Sequence, residues 1–174
     1  MKTKGIIFGA LTSIFSLLII VPMCIGNWAY YLGENVSEEA VGMFYDWSTI
    51  SDVYEFAGET FPVFWTVLIQ IAVIAALVAG VAYLVLYVLD LAKVTKPEKT
   101  AALKKFLGIV LIVAGIVVAI SGIIFMITST YTIRLGNTTT GYIGAAGFYL
   151  ACIFPILAGI CGLLGADKAK SKRK

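Results

Sequence analysis

The chain has 174 residues, of which 60% are apolar and only 13% charged, with a net charge of +3. A soluble domain of this size carries about 25% charged residues, so a water-exposed globule is excluded as the main architecture. There is no His, which removes the commonest general base and metal ligand.

The first element is an apolar stretch over 5–26, interrupted only by Thr12, Ser13 and Ser16. About 20 apolar residues suffice to cross a hydrocarbon core of roughly 30 Å as a helix. Lys2 and Lys4 resemble the basic start of a signal peptide, but a signal core is usually only about 7–15 residues long. Met23 stands before Cys24 where lipoprotein processing needs a small residue. An uncleaved helix is expected.

The connection 27–60 holds Glu34, Glu38, Glu39, Asp46, Asp52, Glu55 and Glu59 and no basic residue. Within it, Met43, Trp47, Ile50, Tyr54, Ala57 and Phe61 recur at intervals of three and four. That is the period of an amphipathic helix. Ser37 with Glu38 and Glu39 reads as its start, a hydroxyl cap followed by acids at the positive dipole end. Gly58 and Pro62 separate it from the next span. Trp47, Asp52, Glu55 and Glu59 are the candidate contacts for a partner. The acids lack the spacing and glycine turn of a calcium loop, and no metal site is expected.

The second span, 61–91, is long enough to tilt or to project beyond the lipid. Ala72, Ala76 and Gly80 mark a close-packing face, and Gln70 is expected to bond a neighbouring helix. Asp90 has Lys93 one turn later, near enough for a pair. A basic connection, 92–102, leads to a third span, 103–128. Gly108, Gly115 and Gly122 fall seven apart in it, which suits a left-handed neighbour. A short connection, 129–140, carries Arg134. The fourth span, 141–165, offers a ridge of Gly147, Ala151, Pro155 and Gly159, with a kink expected at Pro155. A basic tail, 166–174, closes the chain.

The fold class is therefore an all-α membrane protein, a four-helix bundle in one integral domain, with a short amphipathic helix in the first outer loop. Twelve of the 13 Lys and Arg residues share one side of such a bundle, and seven of the ten acids share the other. Short basic segments next to spans stay in the cytoplasm. Both termini and 92–102 are placed there, in a multi-pass cell-membrane protein, with 27–60 and 129–140 outside. Trp28, Trp47 and Trp65 cluster at the outer ends, where rings with a polar edge anchor in the headgroup layer. Asn35-Val36-Ser37 and Asn137-Thr138-Thr139 are glycosylation acceptors on that side, relevant to a eukaryotic host.

Catalytic chemistry is not found. Cys24, Cys152 and Cys161 lie in apolar spans, and no phosphate loop, nucleophile elbow or zinc motif occurs. No enzyme activity, cofactor or nucleic-acid partner is expected. The partners are the lipid bilayer and another membrane protein or a second copy of the chain. The main reading is a structural, adhesion or accessory subunit. The alternative is a small oligomeric channel or transporter, for which a polar stripe on one helix would speak.

The topology of the whole chain resembles the claudin and peripheral-myelin-protein superfamily. Trp28 and Trp47 stand about where that family keeps paired outer-loop tryptophans, with Gly42 and Phe44 near the second. Gly144-Ala145-Ala146-Gly147-Phe148-Tyr149-Leu150 looks like the small-plus-aromatic start of a claudin fourth helix. The family's outer-loop cysteine pair and Gly-Leu-Trp sequence are absent here. The resemblance implies a non-enzymatic membrane protein whose outer loop contacts a protein on a neighbouring cell or beside it in the membrane.

Overall fold

The computed structural model describes residues 3–25, 27–33, 36–44, 60–129, 131–133 and 138–166. Four helical spans are long and apolar enough to cross a membrane: Thr3–Cys24, Val63–Leu91, Pro97–Thr128 and Ala146–Ala166. The first consists of two helices, α1 (Thr3–Leu18) and α2 (Ile20–Cys24). Pro22 accounts for the break, because it offers no N–H to the Leu18 carbonyl and its ring crowds that oxygen. Between the two helices, the Ile19 N–H donates to the Ser16 carbonyl at 3.3 Å.

The other spans are α3 (Val63–Leu91), α4 (Pro97–Thr128) and α5 (Ala146–Ala166). α4 begins six residues earlier than hydropathy alone places it. Pro97 in its first turn needs no N–H partner, and Glu98 beside it suits the positive helix end. α5 continues through the buried Pro155. α1 packs on α3 and α5, and α4 packs on the same two. The helices thus follow chain order around a ring, and α1 begins at the end where α5 finishes.

The inward residues repeat with a heptad rhythm. On α3 they include Thr66, Ile69, Val73, Ala76, Gly80, Tyr83, Tyr87 and Asp90, with Ala72 and Ala79 buried beside the seam. On α4 they include Lys104, Gly108, Leu111, Gly115, Val118, Gly122 and Phe125, with Leu107, Ala114 and Ser121 buried beside the seam. Alternating steps of three and four keep one seam facing its neighbour in a left-handed supercoil. Large apolar side chains such as Phe64, Val78, Phe106, Ile120 and Ile127 lie exposed on the outside, as a bilayer environment requires.

α3 ends in a tight cap. The Val94 N–H donates to the Leu89 carbonyl at 3.0 Å and the Lys93 N–H to the Asp90 carbonyl at 3.3 Å. This is the paired closure usually built on a left-handed glycine. Lys93 takes that place with φ 59°, a conformation that crowds a Cβ. Lys93→Gly is therefore expected to stabilise the fold by about 0.5–1 kcal/mol, after allowing for the extra freedom of glycine in the unfolded chain. Unfolding in mixed detergent micelles measures it, and an unchanged or lower stability would contradict the account.

The connections at the other end of the bundle form a sheet. β1 (Ala29–Gly33) and β2 (Val36–Val41) come from the first connection, β3 (Tyr131–Ile133) and β4 (Thr138–Gly144) from the second. The order is β2-β1-β4-β3, and every neighbouring pair is antiparallel. The join between connections is β1 with β4, in which Ala29 faces Gly144 and Leu32 faces Gly141.

Two expectations change here. Ser37 does not start a helix, because 36–41 is a strand whose backbone is paired with β1. Residues 141–144 do not belong to the fourth span, because β4 takes them and α5 starts only at Ala146. In both cases strand pairing, with the adjacent β1 for β2 and with the distant β1 for β4, overrides the helical pattern. The helix expected from Met43 onward falls mostly on 45–59, outside the described residues.

Candidate functional site

The sheet end is organised around Trp28. Hydropathy places this ring in the headgroup layer, yet it is only 2% exposed and belongs to the core. It meets Phe148 edge-on at 5.8 Å and Phe125 at 6.1 Å. Phe61 and Tyr142 complete the cluster, each within 5.8 Å of Phe125. Edge-to-face rings at these spacings add attraction beyond their buried area.

The backbone around Trp28 ties three elements together. Its N–H donates to the Val41 carbonyl at 2.7 Å, and its carbonyl accepts from the Ala145 N–H at 2.9 Å. The Gly147 N–H then donates to the Asn27 carbonyl at 3.2 Å. The β1–β4 ladder thus runs directly into the first turn of α5. Gly147 makes this possible, since a Cβ there would lie 3.2 Å from Trp28 Cα.

Two side chains fasten the sheet end to the spans. Gln70 Nε2 donates to the Met43 carbonyl at 2.9 Å. The amide expected to bond a helix therefore holds the first connection, just before 45–59. Ser129 Oγ, at the end of α4, accepts from the Tyr142 N–H at 3.4 Å. Trp47, Asp52, Glu55 and Glu59, the candidate partner contacts, lie outside the described residues.

The opposite, basic end holds a buried charge pair. Lys104 Nζ stands 2.6 Å from Asp90 Oδ2, and the Asp90 side chain is wholly buried. Thr100 donates to the same oxygen at 2.7 Å, and Thr95 donates to Oδ1. The ammonium also lies 5.7 Å from the ring centres of both Tyr83 and Tyr87, within reach of their electron-rich faces. Asp90 is thus paired with Lys104 across the hairpin, not with Lys93. Lys93 closes the helix cap instead, and the turn it makes brings α4 back alongside Asp90. The heptad seam carried a signal for this pairing: Asp90 stands seven residues after Tyr83, and Lys104 four before Gly108.

Tyr87 carries the cluster on to α1. Tyr87 donates from its hydroxyl to the Ile6 carbonyl at 3.0 Å, and its ring fills the space above Gly9, where a Cβ would come within 2.4 Å. All the buried residues of α1 are small or polar: Gly9, Thr12, Ser13 and Ser16. Thr12 and Ser13 donate to carbonyls of their own helix, at 2.8 and 2.9 Å. Ser16 rests against Gly80, where a Cβ would lie 2.6 Å from its own Cβ.

The small residues singled out for packing have these neighbours. A Cβ on Gly108 would lie 3.2 Å from the Gly159 carbonyl oxygen, and one on Gly115 would lie 2.9 Å from the Cys152 carbonyl oxygen. Gly122 faces Phe148, and Gly159 faces Gly108 and Ile112. Ala151 and Pro155 are buried on α5. Gly147 turns to the Asn27–Trp28 segment, so one member of the expected ridge serves the sheet. Among the described residues, no group of three or more His, Cys, Asp or Glu is placed to hold a metal ion. No protein-family model matches the sequence, and no curated protein matches it.

Proposed function

We propose that this chain is a non-enzymatic four-helix membrane protein that works as a structural, adhesion or accessory subunit through its sheet end. The observation that carries this reading is the four-stranded sheet assembled from both connections at that end. It is anchored through Trp28, Gln70 and Ser129 to the spans beneath. A paired sheet of this kind presents its strands to a partner already ordered, which lowers the entropy cost of binding. The charge bias directs the sheet end outward and both termini into the cytoplasm. The topological resemblance to claudins and peripheral myelin proteins points the same way.

Within this reading, Trp47 and the acids Asp52, Glu55 and Glu59 form the contact surface. The test is purification in mild detergent with mass measurement of co-purifying species. Trp47→Ala is expected to release the partner subunit or second copy by at least tenfold, the usual weight of an aromatic anchor, with thermal stability unchanged. A chain that is strictly monomeric and partner-free would overturn the reading, as would retention of the partner by the variant.

One observation favours the channel or transporter reading, namely the polar inward face of α1. Against it, Thr12 and Ser13 are satisfied within their own helix, and Gly9 and Gly80 are filled by Tyr87 and Ser16. Ion flux through liposomes containing the pure protein would establish this reading instead.

A further inference from the structure

The basic end offers a surface of its own, apart from the sheet. α4 has 32 residues against 21 in α5, about 48 Å against about 32 Å. Their relative height is set by Gly108, which lies beside Gly159, Gly162 and Leu163. Because the two helices run antiparallel, Ala166 at the end of α5 comes level with about Lys104. The first turns of α4 therefore overhang α5 by about 10 Å.

A span like α5 already matches a hydrocarbon core of roughly 30 Å, and a headgroup layer a few ångströms thick lies above that core. The overhang places the α3–α4 turn at the level of the lipid phosphates. Lys93, Lys96 and Lys99 are all exposed on this turn, with Glu98 the one acid beside them. Lys104 is not available, because it is buried against Asp90.

The turn is also held at several points. The cap at Lys93 fixes its start, Thr95 is held by Asp90, and Pro97 fixes the entry to α4. The lysines are thus presented from an ordered scaffold, and binding a phosphate-bearing surface requires little further ordering of the backbone. We propose that the α3–α4 turn is a docking surface for anionic phospholipid headgroups in the adjacent leaflet, with Lys93, Lys96 and Lys99 as the contacts.

The test measures phospholipid retained by the detergent-purified protein in native mass spectrometry, with phosphatidylserine titrated against phosphatidylcholine. The unmodified chain is expected to prefer phosphatidylserine. A Lys93→Gln, Lys96→Gln, Lys99→Gln variant should lose that preference by roughly tenfold to a hundredfold. The corresponding triple Arg variant should keep it, because the contact depends on charge. In the unmodified chain the preference should also fall steadily as NaCl is raised, a result that needs no variant to fold. Equal retention of phosphatidylserine by the Gln variant would overturn the proposal. So would a preference that does not respond to salt, or its loss on substitution by Arg.

Discussion

Asp90→Ala is expected to cost about 3–5 kcal/mol of unfolding free energy, because it strands the Lys104 ammonium in a buried site without its carboxylate. Lys104 is 6% exposed as a residue, too little for water to replace the lost partner. Lys104→Met should be damaging as well, since Thr95 and Thr100 alone would then face the carboxylate. The double variant Asp90→Leu, Lys104→Met removes both charges and should recover most of the loss. Unfolding of the four forms in mixed micelles gives the coupling energy directly. A single-variant loss below about 1 kcal/mol would mean that water reaches the pair and screens it as it does surface pairs.

The second large effect belongs to Gly159. An added Cβ would lie 2.5 Å from the Gly108 carbonyl oxygen and 3.0 Å from the Ile112 backbone nitrogen. Backbone atoms of a packed helix cannot rotate away, so α4 and α5 must move apart along the seam. Gly159→Ala should destabilise by about 1–3 kcal/mol, and Gly159→Leu by more. Gly165→Ala is the internal control, since its nearest neighbour is the Phe8 Cβ at 3.3 Å and a slight shift accommodates it. Equal losses at the two positions would show that helix contact is not what Gly159 provides. Gly122 should resemble Gly159, because the Phe148 ring that covers it is wedged against Trp28.

How much of this was legible from the residues depends on the range of the interaction. The four spans are written in continuous apolar runs, since each must satisfy its own backbone in lipid. The seven-residue spacing of Gly108, Gly115 and Gly122 is likewise local, and it anticipates a seam. The pairing that joins the two connections is not local. Tyr131-Thr132-Ile133 and Thr138–Ile143 are rich in β-branched and aromatic residues, which is a usable strand signal. The second of these also pairs with β1, far away in sequence, and the apolar pattern of 141–144 reads equally well as the start of a span. The ion pair failed for a related reason. Lys93 is the nearest base to Asp90, whereas Lys104 becomes its neighbour only after the chain has reversed. Trp28 reads as an interface anchor in the sequence because burial at the end of a bundle depends on what folds over it, here β1, β4 and the first turn of α5. The candidate contacts at Trp47, Asp52, Glu55 and Glu59 rest on the sequence alone.

The β1–β4 ladder bears on the order in which the molecule is completed. Ala29 and Gly144 are paired although more than a hundred residues separate them. During synthesis from the N-terminus, β1 emerges with its eventual neighbour still unmade. The Asp90–Lys104 hairpin, by contrast, closes within a stretch of fifteen residues. The hairpin can therefore form while the ribosome is still working, and the sheet only after the third span has crossed and β4 has followed it. A chain in which either of the two spans between β1 and β4 failed to cross would leave its two strand pairs on opposite faces of the bilayer, unable to meet. Closure of the sheet thus reports that the second and third spans have crossed as a pair, because only then do β1 and β4 lie on one side.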